Sequence, residues 1–226
     1  MTTYLRARSQ GQREERQRHI LETAAAMLAE LSVSDLTLTE LARRAGRSKA
    51  HIISYFETRE TVLLALLERE AARWLDAFAT SLQARPESAR GSSLKRADRF
   101  AQRVARSLDE DPVLCELLSA EAAVLERNVS TALAENHKRV VSDLFARLAE
   151  TILSALPELG EPGARAAAGS LVVLAGALWV HAHPAPSVAA VYQKDPSLAA
   201  FGTDFASMLE EMFATQVRGL LAVSLS

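Results

Sequence analysis

The sequence predicts an all-α fold: a flexible arm over residues 1–12, a three-helix head over 13–60, and a larger helical body over 61–226 joined to the head by one long helix. Three observations predict it. Apolar residues recur at 3- and 4-residue spacing along almost the whole chain, and no stretch alternates convincingly with the two-residue period of a strand. Cap residues and prolines fall where the periodic segments end. With 226 residues, 49% of them apolar, the chain has enough material for a small core and a larger one.

The first helix is expected over Arg13–Leu31, with Ile20, Leu21, Ala24, Ala25, Met27 and Leu28 turned inward. Thr37 then caps a short helix. Glu40, three residues on, is placed to return a bond to the Thr37 backbone N–H as in a capping box. Leu38, Leu41, Ala42 and Ala45 supply its buried face, and Gly46 stands where the chain must leave the helix through the left-handed region. Ser48 caps a second helix, Lys49–Tyr55, which turns Ile52 and Phe56 inward and leaves Lys49, Ala50, His51 and Ser54 outside. Two short helices around a tight turn, braced by a third, form a device for reading DNA. A helix fits the major groove, where hydroxyl, imidazole and ammonium groups meet base edges and phosphates, and a small Ala can touch a thymine methyl.

A long helix, Arg59–Ala84, starts in the head with Val62, Leu63, Leu66 and Leu67 and continues into the body with Trp74, Leu75, Phe78 and Leu82. A rod shared by both parts converts a small shift in the body into a rotation of the head. Arg85–Ser93, with Pro86 and Gly91, reads as a connection, and a helix is expected over Leu94–Leu108. Asp111 is the expected N-cap of the next helix, with Pro112 in its first turn and Val113, Leu114, Leu117, Leu118, Val124 and Leu125 apolar. Thr131–Leu156 is a further amphipathic helix stopped by Pro157. Gly163–Ala182 places Gly169 and Gly176 on one stripe, and Asp204–Leu221 presents Phe205, Met208, Leu209, Met212, Phe213, Val217 and Leu220 along a broad apolar face. The uncharged run from Ala166 past Val180 is diluted by Ala, Gly and Ser and ends at Pro184. A spanning helix needs about 20 predominantly apolar residues, so this run reads as a buried helix and no membrane partner is expected.

Net charge is −2, but the first 59 residues carry 10 Lys/Arg against 7 Asp/Glu and the remainder 16 against 21. A basic head on an acidic body is the asymmetry of a chain that meets phosphate at one end. Cys115 is the single cysteine, which excludes an intramolecular disulfide, and MTTYLRARSQGQREERQ lacks the apolar segment of a signal peptide. A cytoplasmic protein is expected. His181 and His183 form the pair nearest to a metal motif, but i,i+2 positions point about 200° apart on a helix. There is no H-x-x-x-H, no Cys pair, no G-x-S-x-G and no glycine-rich phosphate loop, so no enzyme, metal or cofactor is expected.

Ile20–Ala25 (I-L-x-x-A-A), Leu41–Gly46 (L-A-x-x-A-G), the Ser48–Phe56 segment with Tyr55-Phe56, and Arg59 shortly before Leu63 together resemble the helix-turn-helix of the TetR family of transcriptional regulators. The resemblance implies DNA contacts from Thr37, Thr39, Arg43, Arg44, Arg47, Ser48, Lys49, Ala50, His51, Ser54, Tyr55 and Arg59. Two positions depart from the family pattern: Arg47 replaces a small β-branched residue, and Ile53 replaces a tyrosine that bonds a backbone phosphate. Leu125–Ser130 is similar to a link in one group of TetR-like C-terminal domains.

The resemblance also implies a homodimer through the last two helices, here Gly169, Gly176, Phe205, Met208, Leu209, Met212, Phe213 and Val217; by spacing alone, an intramolecular core is the simpler reading of these residues. Pairing places two recognition helices on half-sites about 34–36 Å apart. A small-molecule effector is expected between the body helices, near Trp74, Phe78, Phe100, Cys115, Leu118, Phe145 and Trp179, with His181 or His183 as the polar group. These readings converge on a homodimeric repressor that leaves a palindromic operator when a small, largely apolar molecule occupies the body. The competing reading is a helical ligand-binding or protein-interaction module whose head no longer recognises a defined operator, with Ile53 and Arg47 as its signs.

Overall fold

The computed structural model describes residues 2–84, 92–121, 125, 129–199 and 204–224, with the backbone alone for 2–10 and 224. The elements are α1 (Thr2–Leu28), α2 (Leu38–Arg44), α3 (Lys49–Ile53), α4 (Arg59–Ala84), α5 (Ser93–Asp109), α6 (Pro112–Ala120), α7 (Thr131–Ala155), α8 (Gly160–Ala182), α9 (Pro186–Lys194) and α10 (Phe205–Ser224). Short 3-10 turns at Pro157–Leu159 and Pro196–Leu198 precede α8 and follow α9. No strand occurs among the described residues. The connection expected over Arg85–Ser93 and the apolar position Val124 lie mostly or wholly outside the described residues, as does much of the Leu125–Ser130 link.

α1 begins well before Arg13 and ends at Leu28 rather than Leu31. Just beyond its end, the Ser32 hydroxyl donates to Asp35 at 2.7 Å and lies 2.6 Å from the Ser34 hydroxyl. Such local side-chain bonds compete with a continued helix. Ile20, Leu21, Ala24, Met27 and Leu28 are buried as expected, against Leu41, Ala42, Ile52 and Phe56 of the short helices and the first turns of α4. α9, which the periodicity leaves unassigned, is a short helix with no buried residue.

The body is held by α5 and α8 packed on α10, and by α6 and α7 packed on α8 and α4. A chain of rings crosses it: Trp74 stacks on Phe78 at 5.4 Å, Phe78 meets Phe100 edge-on at 5.9 Å, and Phe100 lies 6.4 Å from Phe213. Burying each such side chain contributes about 1.5–3 kcal/mol, which makes α4, α5 and α10 one packed unit. Asp111 precedes α6 as expected, yet its side chain does not cap the helix. It is buried and accepts from Arg73 Nη2 at 2.5 Å, an ion pair between α4 and the start of α6.

Several residues expected at a subunit interface lie inside the subunit instead. Phe205, Leu209, Phe213 and Val217 are all buried in the core. Gly176 is buried against α6, where a Cβ would stand 3.0 Å from the Leu118 carbonyl oxygen, and a Cβ at Gly169 would lie 3.8 Å from the Phe145 ring of α7. The reason is the crowding of α8 and α10 by α5, α6 and α7, which consumes the most apolar side of each helix. Of the expected interface set, Met208 is half-buried and Met212 remains exposed. One helix segment, Pro157–Ala182, is long and apolar enough to cross a membrane, but half of its most apolar window is packed inside the fold.

Candidate DNA interface and effector cavity

The head is built around the turn at Gly46. The Thr37 hydroxyl accepts the Glu40 N–H at 3.2 Å and opens α2. The reciprocal half of the expected capping box is replaced, because the Glu40 carboxylate is taken by Arg43 at 2.6 Å and Arg44 at 3.0 Å. These bonds hold its pKa down at about 2. At the other end, the Gly46 N–H donates to the Arg43 carbonyl and the Arg47 N–H to the Ala42 carbonyl at 2.9 Å, the paired bonds of a Schellman motif. Gly46 sits at φ +64° with open space around the missing Cβ, so the left-handed backbone rather than crowding calls for glycine there. His19 of α1 lies 3.3 Å from the Ala45 carbonyl and ties the turn to its brace.

The recognition helix α3 is opened by Ser48, whose hydroxyl accepts the His51 N–H at 3.1 Å, and closes at Ile53, earlier than the expected Tyr55. Ile52 and Phe56 anchor it in the core. Thr39, Arg43, Arg47, Ser48, Lys49, Ala50 and Ser54 are exposed, and Arg47 and Lys49 form no ion pair among the described residues. Arg47 and Lys49 are therefore exposed cations on the turn and at the start of α3. The Ser54 hydroxyl donates to the His51 carbonyl at 2.7 Å, so toward a base it acts as an acceptor. Tyr55 is held by α1: its hydroxyl accepts from Arg16 at 3.2 Å, and the Arg13 guanidinium lies over its ring. The Tyr55 O–H proton stays available to a phosphate oxygen.

Three of the expected contacts are placed otherwise. Arg44 is tied to Glu30 at 2.8 Å as well as to Glu40. His51 lies against Tyr55 at 5.2 Å with its Nε2 buried and unbonded, so reading a base requires its ring to turn out. Arg59 Nη1 donates to the carbonyls of Val33, Ser34 and Leu36 at 3.2–3.4 Å. Its charge holds the α1–α2 connection onto α4; in place of the expected phosphate contact, it serves head packing.

In the body, an apolar cavity of about 120 Å³ opens between α4, α6, α7 and α8. Its walls include Trp74, Leu118 and Phe145 of the expected set, together with Leu75, Leu108, Leu114, Leu144, Leu148 and Leu171. Phe78 and Phe100 belong to the aromatic chain beside it, not to the lining. Cys115 also lies outside the lining: it is buried, its thiol faces the Leu108 carbonyl at 3.4 Å, and burial raises its pKa, which suits a structural role. Trp179 donates to Glu116 at 3.0 Å and stacks on His183 at 3.7 Å, while His181 and His183 are exposed; none of these three reaches the cavity. A larger recess of about 730 Å³ lies between α4, α5 and α7 and is lined by charged residues including Arg96, Arg147, Glu150 and Glu158.

Glu68 of α4 and Glu121, immediately after α6, line the cavity too, and spacing did not point to them. Both hold His137, a 1% exposed residue of α7, whose Nδ1 lies 2.8 Å from Glu68 and Nε2 3.3 Å from Glu121. Burial alone pushes this imidazole toward neutrality, but its bonds to Glu121 and Glu68 outweigh that and raise its pKa to about 9. The sequence signal for Glu68 is its place within the apolar stripe formed by Leu64, Leu67 and Ala71; nothing comparable marks Glu121.

Comparisons place this architecture among known proteins. Residues 20–66 match the family model "Bacterial regulatory proteins, tetR family", and residues 68–224 match "Tetracyclin repressor-like, C-terminal domain". No curated protein matches the chain. Among solved structures, a TetR transcriptional regulator from Rhodococcus sp. RHA1 is similar at TM-score 0.59 and 14% identity, over 94% of this chain and 98% of that one. A TetR-family regulator from Mesorhizobium loti aligns at 0.55 and 18%, over 93% and 97%. FadR from Bacillus subtilis, solved with stearoyl-CoA, aligns at 0.51 and 13%, over 88% and 98%. At such identities the structures speak for the fold, and the family models, which together span head and body, carry the assignment. The chain belongs to the TetR family of transcriptional regulators.

Proposed function

We propose that this protein is a cytoplasmic homodimeric repressor that binds a palindromic operator through α3 and leaves it when a small, largely apolar molecule enters the cavity between α4, α6, α7 and α8. The observation that carries this reading is the continuity of α4: Val62, Leu63 and Leu66 are packed in the core near its start, and Leu67, Glu68, Ala71, Trp74 and Leu75 further along line the cavity. An occupant that spreads the cavity walls acts directly on the rod beneath the recognition helix. FadR from Bacillus subtilis, a neighbour in fold, is in complex with stearoyl-CoA, which supports a small-molecule ligand for a protein of this fold.

Pairing through α8 and α10 is supported by what their packing leaves outside: Val173 and Val180 on α8, and Met212 and Val223 on α10, are exposed apolar residues. Repression and release then follow from differential affinity. The ligand must favour the conformer whose two heads are wrongly spaced for adjacent major grooves.

Selection of binding sites from a random duplex library, with purified protein at about physiological salt, tests the reading. Enrichment of a two-fold-symmetric site is expected, with affinity that falls steeply as salt rises. A folded dimer that enriches nothing defeats the operator half of the proposal and favours the ligand-binding module, for which Ile53, 44% exposed on the recognition helix, is the supporting feature.

A further inference from the structure

Two arginines of α1, outside the set of residues implied by the family resemblance, converge on the end of the recognition helix. Arg16 Nη1 donates to the Tyr55 hydroxyl at 3.2 Å, and the Arg13 guanidinium lies 5.2 Å from the centre of the Tyr55 ring. Both arginines are exposed, and their spacing puts them on one face of α1. Neither meets a carboxylate among the described residues, unlike the other arginines around them. Arg18 pairs with Glu15, Arg43 with Glu40, Arg44 with Glu30 and Glu40, and Arg59 with Glu60. Two guanidiniums gathered at one phenol repel each other, and an anion between them relieves that repulsion.

Their place relative to α3 says which anion. Tyr55 lies just past the end of α3, whereas Arg47 and Lys49 stand at its start. Exposed cations therefore flank the helix at both ends, which suits a helix lying between the two phosphate backbones of a groove about 12 Å wide. Ile53, the last residue of α3, is 44% exposed and has no side-chain donor, so a backbone contact at that end must come from its neighbours.

We propose that Arg13, Arg16 and Tyr55 form a phosphate clamp in which α1 grips the DNA backbone just past the end of α3. The clamp rests on the head binding DNA through α3. By donating to the Tyr55 oxygen, Arg16 turns the phenol's own proton outward, and the remaining donors of its guanidinium reach the same phosphate. Arg13, held over the ring by the attraction between a cation and a π face, adds the second charge. Charge-assisted bonds of this kind are about twice as strong as neutral ones.

The test uses the full chain and a duplex of random sequence, since phosphate contacts carry no base information. Affinity is titrated against salt for the unaltered protein, for Arg13→Ala/Arg16→Ala, and for Arg13→Lys/Arg16→Lys. The alanine pair should lower the salt slope by about two contacts, so that the fall in affinity between roughly 50 and 200 mM salt shrinks by about tenfold. The lysine pair, which keeps both charges, should restore the slope, a result that a packing role for the arginines does not give. Tyr55→Phe should weaken binding at every salt concentration with the slope unchanged, because it removes a neutral donor. Arg18→Ala, on the same helix but paired with Glu15, should leave the slope in place. An unchanged slope in the alanine pair, or an equal loss in Arg18→Ala, overturns the clamp and leaves the head as a DNA reader. Absence of salt-dependent duplex binding by the unaltered protein overturns the DNA reading itself, and the clamp with it.

Discussion

One carboxylate oxygen of Glu116, on α6, accepts the backbone N–H of Val33 at 2.7 Å, which bonds the loop between α1 and α2 directly to the body. Its other oxygen accepts the Trp179 indole N–H of α8 at 3.0 Å. A single side chain therefore joins head, α6 and α8, and α6 and α8 are two of the helices that wall the cavity. Such a bridge is a second mechanical link between cavity and head beside α4.

Glu116→Ala leaves the Val33 amide and the Trp179 indole without these partners. Loss of hydrogen bonds to a charged group costs about 1.5–3 kcal/mol, so a lower thermal midpoint is expected. Amide exchange at Val33 should accelerate selectively. Unchanged exchange at Val33 would show that the bridge does not persist in solution.

Arg59 and Lys49 separate two kinds of cation in the head. Lys49→Ala should weaken operator binding across sequences and lower the salt slope by about one contact. Arg59→Ala should lower head stability through three undonated carbonyls while the salt slope stays the same. Titration of both variants against salt decides it. A slope reduced in Arg59→Ala returns that residue to the DNA surface.

His137 makes the body sensitive to alkali. Its bonds to Glu121 and Glu68 raise its pKa in the fold to about 9, from an ordinary 6.5. The stabilisation is therefore complete below about pH 6.5 and is lost as pH rises through about 9. Thermal midpoints measured from pH 7 to 10 should fall, and should fall less in His137→Gln, which lacks the titration. Parallel curves for the two proteins would remove His137 as the cause.

Met212 and Phe213 are neighbours on α10 with opposite surroundings: Met212 is 42% exposed and Phe213 is fully buried. If the proposed dimer pairs through α10, Met212→Asp should leave the subunit folded and make it monomeric, because pairing would bury an unpaired charge. Phe213→Asp should unfold the subunit. Sedimentation of the Met212 variant together with its circular dichroism distinguishes the two, and a folded dimer would place the interface elsewhere.

The head was legible in the chain because its signals are local. Thr37, Gly46 and Ser48 each act on backbone groups within a few residues, and a cap or a left-handed glycine works in the same way wherever the head is placed. The long helix from Arg59 to Ala84 and the buried faces of α1 and α10 followed from periodicity for the same reason. What periodicity does not carry is the identity of the neighbour. An apolar stripe on α10 looks alike whether α5 or a second subunit covers it, and packing assigned Phe205, Leu209, Phe213 and Val217 to the subunit's own core.

The site depended on the same distinction. Trp74, Leu118 and Phe145 were found as aromatics and aliphatics of the body, but Glu68, Glu121 and His137 are separated widely in the chain and meet only when α4, α6 and α7 converge. Arg59 read as a phosphate ligand from its position and became a clasp once the loop after α1 folded over it. Local sequence decides which backbone bonds a segment makes with itself, because those partners lie within a turn. Which charges are neutralised, and which apolar faces are spent, depends on helix offsets set by the packing of the whole body, and only the assembled tertiary structure supplies them.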